Sequence, residues 1–323
     1  MFGSHLSIAG SMVNALNEAE SLNLDTVQVF TKNQQQWSAK PLDAGMVREW
    51  HAKVGSLGWQ DRTVSHASYL INLGSPDDVL WKKSIDTMVD EIERCQTLGI
   101  PFLVHHPGAF TTSTREQGLA RIAKAYRELI ARTKGSTVVS LLENTVGSGS
   151  NLGREFEEIA TLRDMILTET SQPARLGVCF DTCHAHAGGY DLSTIPSATA
   201  ALNEFDRIVG LKWIRVLHLN DSKGKLGSRL DRHEHIGQGT IGDAGFKIVV
   251  TRPEFVGIPK ILETPKGDSD DGTPCDTLNL RRLWTFQNRK PIEQPQLGSP
   301  KARTKPKPGA KATTKPRRAA PRK

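Results

Sequence analysis

Six apolar runs in this 323-residue chain stop abruptly at a histidine, aspartate or glutamate: "TVSHAS", "FLVHHPG", "VVSLLENT", "LGVCFDTCH", "VLHLND" and "KILETP". The polar tips are His66, His106, Glu143, Asp181, His218 and Glu263, spaced by 40, 37, 38, 37 and 45 residues. A spacing of about 40 fits one strand, one helix and two loops, so the chain reads as a repeat of strand–helix units.

The segments between the tips have helical patterning. In "SPDDVLWKKSIDTMVDEIERCQTLG", Ser75 is placed as an N-cap with Pro76 at the first helical position. Acids follow in the first turn, then Ile85, Met88, Val89, Ile92 and Cys95 at helical spacing, and Gly99 ends the run. "LARIAKAYRELIA" and "REFEEIATLRDMI" read the same way. Two further strands upstream, "MFGSHLS" and "TVQVFTKN", raise the count to eight. Eight units in about 290 residues predict an α/β fold, a (β/α)₈ TIM barrel, in which the C-terminal ends of the parallel strands open on one mouth. A doubly wound sheet is the structural rival, but it does not bring every strand end together.

Three imidazoles and three carboxylates in one mouth are costly to desolvate unless cations pair the charges, so metal binding is expected. Nitrogen and oxygen donors suit zinc, manganese or iron, and too few thiols are well placed for a cysteine-zinc finger. His184 follows Asp181 by three residues, and "LDRHEH" adds Asp231 and His233, which share one side of an extended segment. Nine donors exceed what one ion needs. Two or three ions would use them, an arrangement suited to phosphate-ester hydrolysis.

The net charge of +7 is unevenly placed. Residues 294–323 hold ten of the 42 Lys/Arg and none of the 35 Asp/Glu, leaving 32 basic against 35 acidic residues elsewhere. The expected division is a barrel domain at 1–290 and a disordered Lys/Arg/Pro/Ala-rich tail at 291–323, serving as a solvated terminus, a localisation signal or a nonspecific nucleic-acid tether. Four scattered cysteines fit a reducing compartment. No apolar run is long enough to span a membrane, and the N-terminus lacks a secretion-signal layout. The expectation is a monomer without membrane contact, cytoplasmic and at the nucleoid in a bacterium, nuclear in a eukaryote.

"SHASYLINLG", "HHPG", "ENTVGSGSNLG", "CFDTCHAHAGGYDL", "HLNDSKGKLGSRLDRHEHIGQGTIG" and "ILETP", in this order, resemble the endonuclease IV family of apurinic/apyrimidinic endonucleases over about residues 3–290. The resemblance implies a TIM barrel with three zinc ions, manganese being a possible substitute. The implied activity is that of deoxyribonuclease IV (phage T4-induced type) in base excision repair: hydrolysis of double-stranded DNA 5′ to an abasic site, leaving a 3′-hydroxyl and a 5′-deoxyribose phosphate, with trimming of blocked 3′ ends. It assigns His66, His106 and Glu143 to one zinc, and Glu143, Asp181, His218 and Glu263 to a second. His184, Asp231 and His233 go to the third. Glu143 and Glu263 become the catalytic carboxylates, Glu263 by orienting or deprotonating the nucleophile.

Tyr69 of "SYLINLG" matches the family's tyrosine that enters the duplex. The family loop "KNQRQW" reads "KNQQQW" here, so Gln35 replaces an inserting arginine and a charged stacking plane is lost. Arg232, with Lys32, Lys223, Lys225 and Arg229, is a candidate for phosphate contacts. Two rivals stand beside this reading: a metal-dependent sugar isomerase or epimerase, which leaves His184, Asp231 and His233 unused, and a noncatalytic DNA-binding protein acting through its tail. In "CFDTCHAH", Cys179 is expected as core filling one layer below Asp181, Cys183 has no evident partner, and His186 is expected as support rather than ligand. The glycines of "GSGSNLG" do not form a GxGxxG and predict a tight loop beside the mouth.

Overall fold

The computed structural model describes residues 1–170 and 172–288; the tail expected at 291–323 lies outside the described residues. Eight parallel strands close into a barrel: Phe2–His5, Thr26–Val29, Val64–His66, Phe102–His105, Val139–Glu143, Leu176–Asp181, Ile214–His218 and Lys260–Leu262. Each pairs with its neighbours in sequence, and the first pairs with the last. The TIM barrel expected from the repeated strand ends is therefore the fold.

Parallel strands covered on both faces are buried along most of their length, and Leu176–Asp181 is buried throughout. Their alternate residues face the barrel axis and the helical shell. The axial layer is built from Val64, Val104, Leu141, Cys179, Val216 and Ile261, one from each of strands three to eight. A larger apolar cluster fills the space between barrel and helices. Gly3 lets the first two strands meet, since a Cβ there would lie 2.5 Å from the Thr26 carbonyl oxygen.

The helical segments run Met12–Ser21, Ala44–Leu57, Asp78–Leu98, Arg115–Arg132, Phe156–Glu169, Thr182–Gly188, Ile195–Ile208, Gly242–Thr251 and Cys275–Phe286. At the third, the expected cap is displaced by two residues. Asp77, not Ser75, accepts from the first turn, with the Leu80 N–H 2.7 Å from its Oδ1. Ser75 instead accepts from the Asp77 N–H in a local turn, so Pro76 precedes the helix rather than opening it. Gly99 ends the helix as expected, with a left-handed φ of 66°. No helix among the described residues is long and apolar enough to cross a membrane.

Candidate metal centre

The barrel's period-two alternation builds the site. Two residues beyond each axial apolar side chain stand His66, His106, Glu143, Asp181, His218 and Glu263, respectively, so all six enter the mouth one layer above the core. His66, Glu143, Asp181 and His218 end their strands, while His106 and Glu263 lie one residue past theirs. Asp181 also caps the helix Thr182–Gly188, accepting the His184 N–H at 2.7 Å, and this turn swings His184 toward the mouth. Asp231 and His233 come from the connection after the seventh strand, steadied by the short antiparallel pairing of Asp221–Ser222 with His233–Glu234.

The donors converge in overlapping groups whose ligand atoms lie within 4.8 Å of one another. One is His66, His106 and Glu143; another is Glu143, Asp181, His218 and Glu263; a third is Asp181, His184 and His233. Glu143 belongs to two of them. Its Oε2 lies 3.2 Å from His66 Nε2 and 3.3 Å from His106 Nε2, and its Oε1 lies 2.8 Å from His218 Nδ1. Asp231 Oδ1 stands 3.3 Å from His184 Nε2 and 3.4 Å from His233 Nε2, so it faces the third group from the outside. Cys179 Sγ also falls near Glu143 and His218, but burial pushes its thiol up to about 12. It is core filling, as expected.

The ring orientations fit metal ions. His66, His184 and His233 each have Nδ1 against a backbone carbonyl, of Ala67, Asn144 and Glu263, at 2.8, 2.8 and 3.2 Å. A carbonyl only accepts, so Nδ1 carries the hydrogen and a lone pair on Nε2 faces the mouth. His233 Nε2 is buried there without a hydrogen-bond partner. Asn220 holds Asp181 Oδ2 at 2.7 Å and accepts the Glu263 N–H at 2.8 Å. Carboxylates and oriented imidazoles of this kind suit borderline divalent ions.

Electrostatics agree. Burial pushes the Glu143 carboxyl up, but His218 and His106 outweigh this and hold it well below the usual carboxylate range. Burial and His218 oppose each other in the same way at Glu263, which is also held well below its ordinary value. Asp231 is held down to about 2, chiefly by His184 against the effect of burial. Burial disfavours the charged forms of His184 and His218, yet neighbouring charges raise both well above the ordinary histidine value. Metal ions would take the place of these protons.

The rim corrects one expectation. Lys32 is buried and bound to Asp90 at 2.6 Å, with Glu91 at 3.6 Å, so it is not placed to meet a phosphate. It belongs to a joint under two loops. Glu91 accepts from Thr31 Oγ1 at 2.7 Å and from the Ser68 N–H at 3.3 Å, Ser68 Oγ donates to the Gln34 carbonyl at 2.6 Å, and Arg94 donates to the carbonyls of Thr31 and Lys40. Above this joint Gln35 is exposed, and Tyr69, 58% exposed, sets its ring against Phe30, His66 and His106. A cavity of about 220 Å³ opens beside them, lined in part by Asn72, Thr145 and Asn151. Arg232, Lys223, Lys225 and Arg229 lie on the connection that carries Asp231, reaching solvent beside the mouth. His186 is buried and accepts from the Leu192 N–H at 3.3 Å, outside the donor groups, and Cys183 is buried beside the Arg232 carbonyl. The loop 147–153 is tight as expected, its three glycines all at positive φ.

Sequence patterning missed the supporting residues: Asn144, Asn220, Gln28, His5 and His105. Asn144 and Asn220 carried a faint signal, since each lies just past a polar tip. Asn144 bonds the Asp181 backbone at both N–H and carbonyl. His105 backs His106, its Nδ1 2.8 Å from the His106 carbonyl and its Nε2 2.7 Å from the Tyr126 hydroxyl.

Fold and donor set together define a metal-binding (β/α)₈ barrel, and a family profile described as a xylose isomerase-like TIM barrel matches residues 16–282. A protein named "Probable endonuclease 4" from Chloroflexus aggregans is 46% identical over 282 residues, 87% of this chain and 96% of that protein. The crystal structure of endonuclease IV from Thermus thermophilus aligns with a TM-score of 0.75 at 38% identity, covering 89% of this chain and 98% of that one. The chain belongs to the endonuclease IV family. A D-tagatose 3-epimerase-like protein shares the fold at a TM-score of 0.65 and 18% identity, covering 89% of this chain and 97% of that one.

Proposed function

We propose that this chain is a zinc-dependent DNA repair endonuclease that hydrolyses the phosphodiester 5′ to abasic sites, leaving a 3′-hydroxyl and a 5′-deoxyribose phosphate, and that it also trims blocked 3′ ends. The observation that carries the reading is the division of Glu143, one oxygen toward His66 and His106 and the other toward His218. A carboxylate divided in this way could serve two neighbouring donor groups, and so would suit a pair of ions.

His66, His106 and Glu143 would hold the first ion, Glu143, Asp181, His218 and Glu263 the second, and His184, Asp231 and His233 the third. Bound there, the ions would lower the pKa of water to make a nucleophile near neutral pH and neutralise charge on the attacked phosphate and departing oxygen. The chain's own groups do the rest. Glu263, 13% exposed and held well below its ordinary pKa, presents an ionised oxygen that orients or deprotonates the attacking water. Asp181 also approaches His184 and His233, and so would be shared between the second and third donor groups.

Tyr69 stands where it can fill the gap left by a missing base, and an abasic nucleotide resists extrusion least because it has no pairing or stacking to lose. Gln35 offers the neighbouring position a hydrogen-bonding amide in place of a cation. Arg232, Lys223, Lys225 and Arg229 would meet the phosphate backbone.

The sugar-isomerase alternative accounts for one or two ions and leaves Asp231 and His233 without a task. The test is incision of a duplex carrying one tetrahydrofuran abasic analogue, with metal content measured on the same sample. We expect a single cut 5′ to the analogue, abolished by chelator and restored by zinc, with about three ions per chain. No cut by zinc-replete protein overturns the proposal, and one bound ion with no cut favours the isomerase.

A further inference from the structure

Gln28 is fully buried in the second strand, paired in register with His5 of the first. Val27 and Val29 on either side face the helical shell, so Gln28 is the one residue of that run turned inward at the level of the mouth. Its amide meets three groups: His218 Nε2 at 2.8 Å, Glu263 Oε1 at 2.6 Å and His5 Nδ1 at 2.9 Å.

The chemistry of the partners fixes which way the amide points. A carboxylate oxygen accepts, so the atom against Glu263 Oε1 is the NH₂ group. The amide oxygen therefore faces His218 and accepts, which puts the ring hydrogen on His218 Nε2. This is the reverse of His66, His184 and His233, whose Nδ1–H groups bond backbone carbonyls. His218 consequently turns Nδ1 toward Glu143 Oε1 at 2.8 Å, Glu263 Oε2 at 3.2 Å and Asp181 Oδ2 at 3.8 Å. A lone pair directed at three carboxylates is repelled unless a cation lies among them.

We infer that Gln28 is a positioning residue for the central ion: it holds His218 with Nδ1 offered inward, and it occupies one oxygen of Glu263 while leaving Oε2 directed at the same point. The inference rests on the proposal that these four ligands hold a metal. It adds that a side chain from a strand without any ligand sets how tightly that ion is held. Among the described residues no backbone carbonyl does this for His218, so the device depends on the identity of one residue.

The test is metal retention by the full-length protein, read by competition with chelators of graded affinity and requiring no DNA. Gln28→Met keeps the volume and removes all three hydrogen bonds. It should weaken retention of one ion by about 10–100-fold and leave the others within about twofold. In ¹⁵N-histidine spectra of the zinc-loaded protein, the slowly exchanging Nε2–H signal of His218 should be lost. Gln28→Glu keeps an acceptor for His218 but sets a carboxylate against Glu263. It should retain the Nε2–H signal while still weakening that ion, and it serves alone if Gln28→Met does not fold. Unchanged retention in both variants, or equal loss of all ions, overturns the inference. A wild-type chain that takes up no zinc overturns the metal reading beneath it, an outcome visible before any variant is made.

Discussion

The candidate ligands rooted in the barrel and those carried by the connection after its seventh strand are held by different means. Glu143, Asp181 and His218 are closed off from solvent, and each is fixed by groups on neighbouring strands or the loops just past them. Asp231 is 45% exposed at its side chain, and it meets the site through His184 and His233. His233 has the Glu263 carbonyl as its ring anchor. Buried donors on a rigid sheet are oriented before an ion arrives, whereas donors on a loop are ordered partly by the ion itself. On the proposed reading the barrel would supply two preorganised sites, and the loop would close a third that should exchange more readily.

The strongest way to break this comparison is to remove the shared carboxylate. Glu143→Gln should lower the rate of abasic-site incision at saturating zinc by about a thousandfold or more, because two ions lose a ligand together. A loss below about tenfold in single-turnover cleavage would mean that Glu143 does not join two sites. Asp231→Ala sharpens the contrast from the other side. It should weaken retention of one ion by about 10–100-fold, and graded chelation of the wild type should release that same ion first.

A smaller effect is expected at the rim. Tyr69→Ala should raise KM for an abasic duplex by about tenfold, in line with the loss of one stacking contact, and leave hydrolysis of a small phosphodiester unchanged. Equal losses on both substrates would place Tyr69 in the chemistry instead. The smallest effect concerns the strand support behind His106. Burial lowers the pKa of His105 to about 4 from an ordinary 6.5, so its contribution to stability is complete above about 6.5 and is lost as pH falls toward 4. Thermal melts of metal-free protein should fall across that window by about 5 °C more in the wild type than in His105→Gln. Parallel curves would assign the acid sensitivity to other groups.

The strand-borne half of the site was legible because two periods coincide in it. The repeat of about 40 residues gives the barrel, and the alternation within each strand lifts the residue two past an axial Val, Leu, Cys or Ile into the mouth. The supports were not legible, because Gln28 looks like any polar residue in a short strand and its partners lie 190 and 235 residues away. Lys32 was misread for the same reason: a lysine beside polar loop residues looks solvated until Asp90, 58 residues on, folds beneath it. The cap at Asp77 was missed because "SPDD" offers three competent acceptors, Ser75, Asp77 and Asp78, and only backbone geometry decides among them.

The joint under the rim has a consequence for how such a protein can vary. Asp90, Glu91 and Arg94, all on the helix Asp78–Leu98, grip Lys32, the Thr31 hydroxyl and the main chain around residues 31–40 and 68, and none of these contacts uses the side chains at 35 or 69. A change of side chain at 35 or 69 would therefore leave the perch beneath intact. Gln35, where the resemblance leads one to expect arginine, would be an exchange of this kind. Loss of Glu91 would differ in kind, since it would unseat both tips in one step.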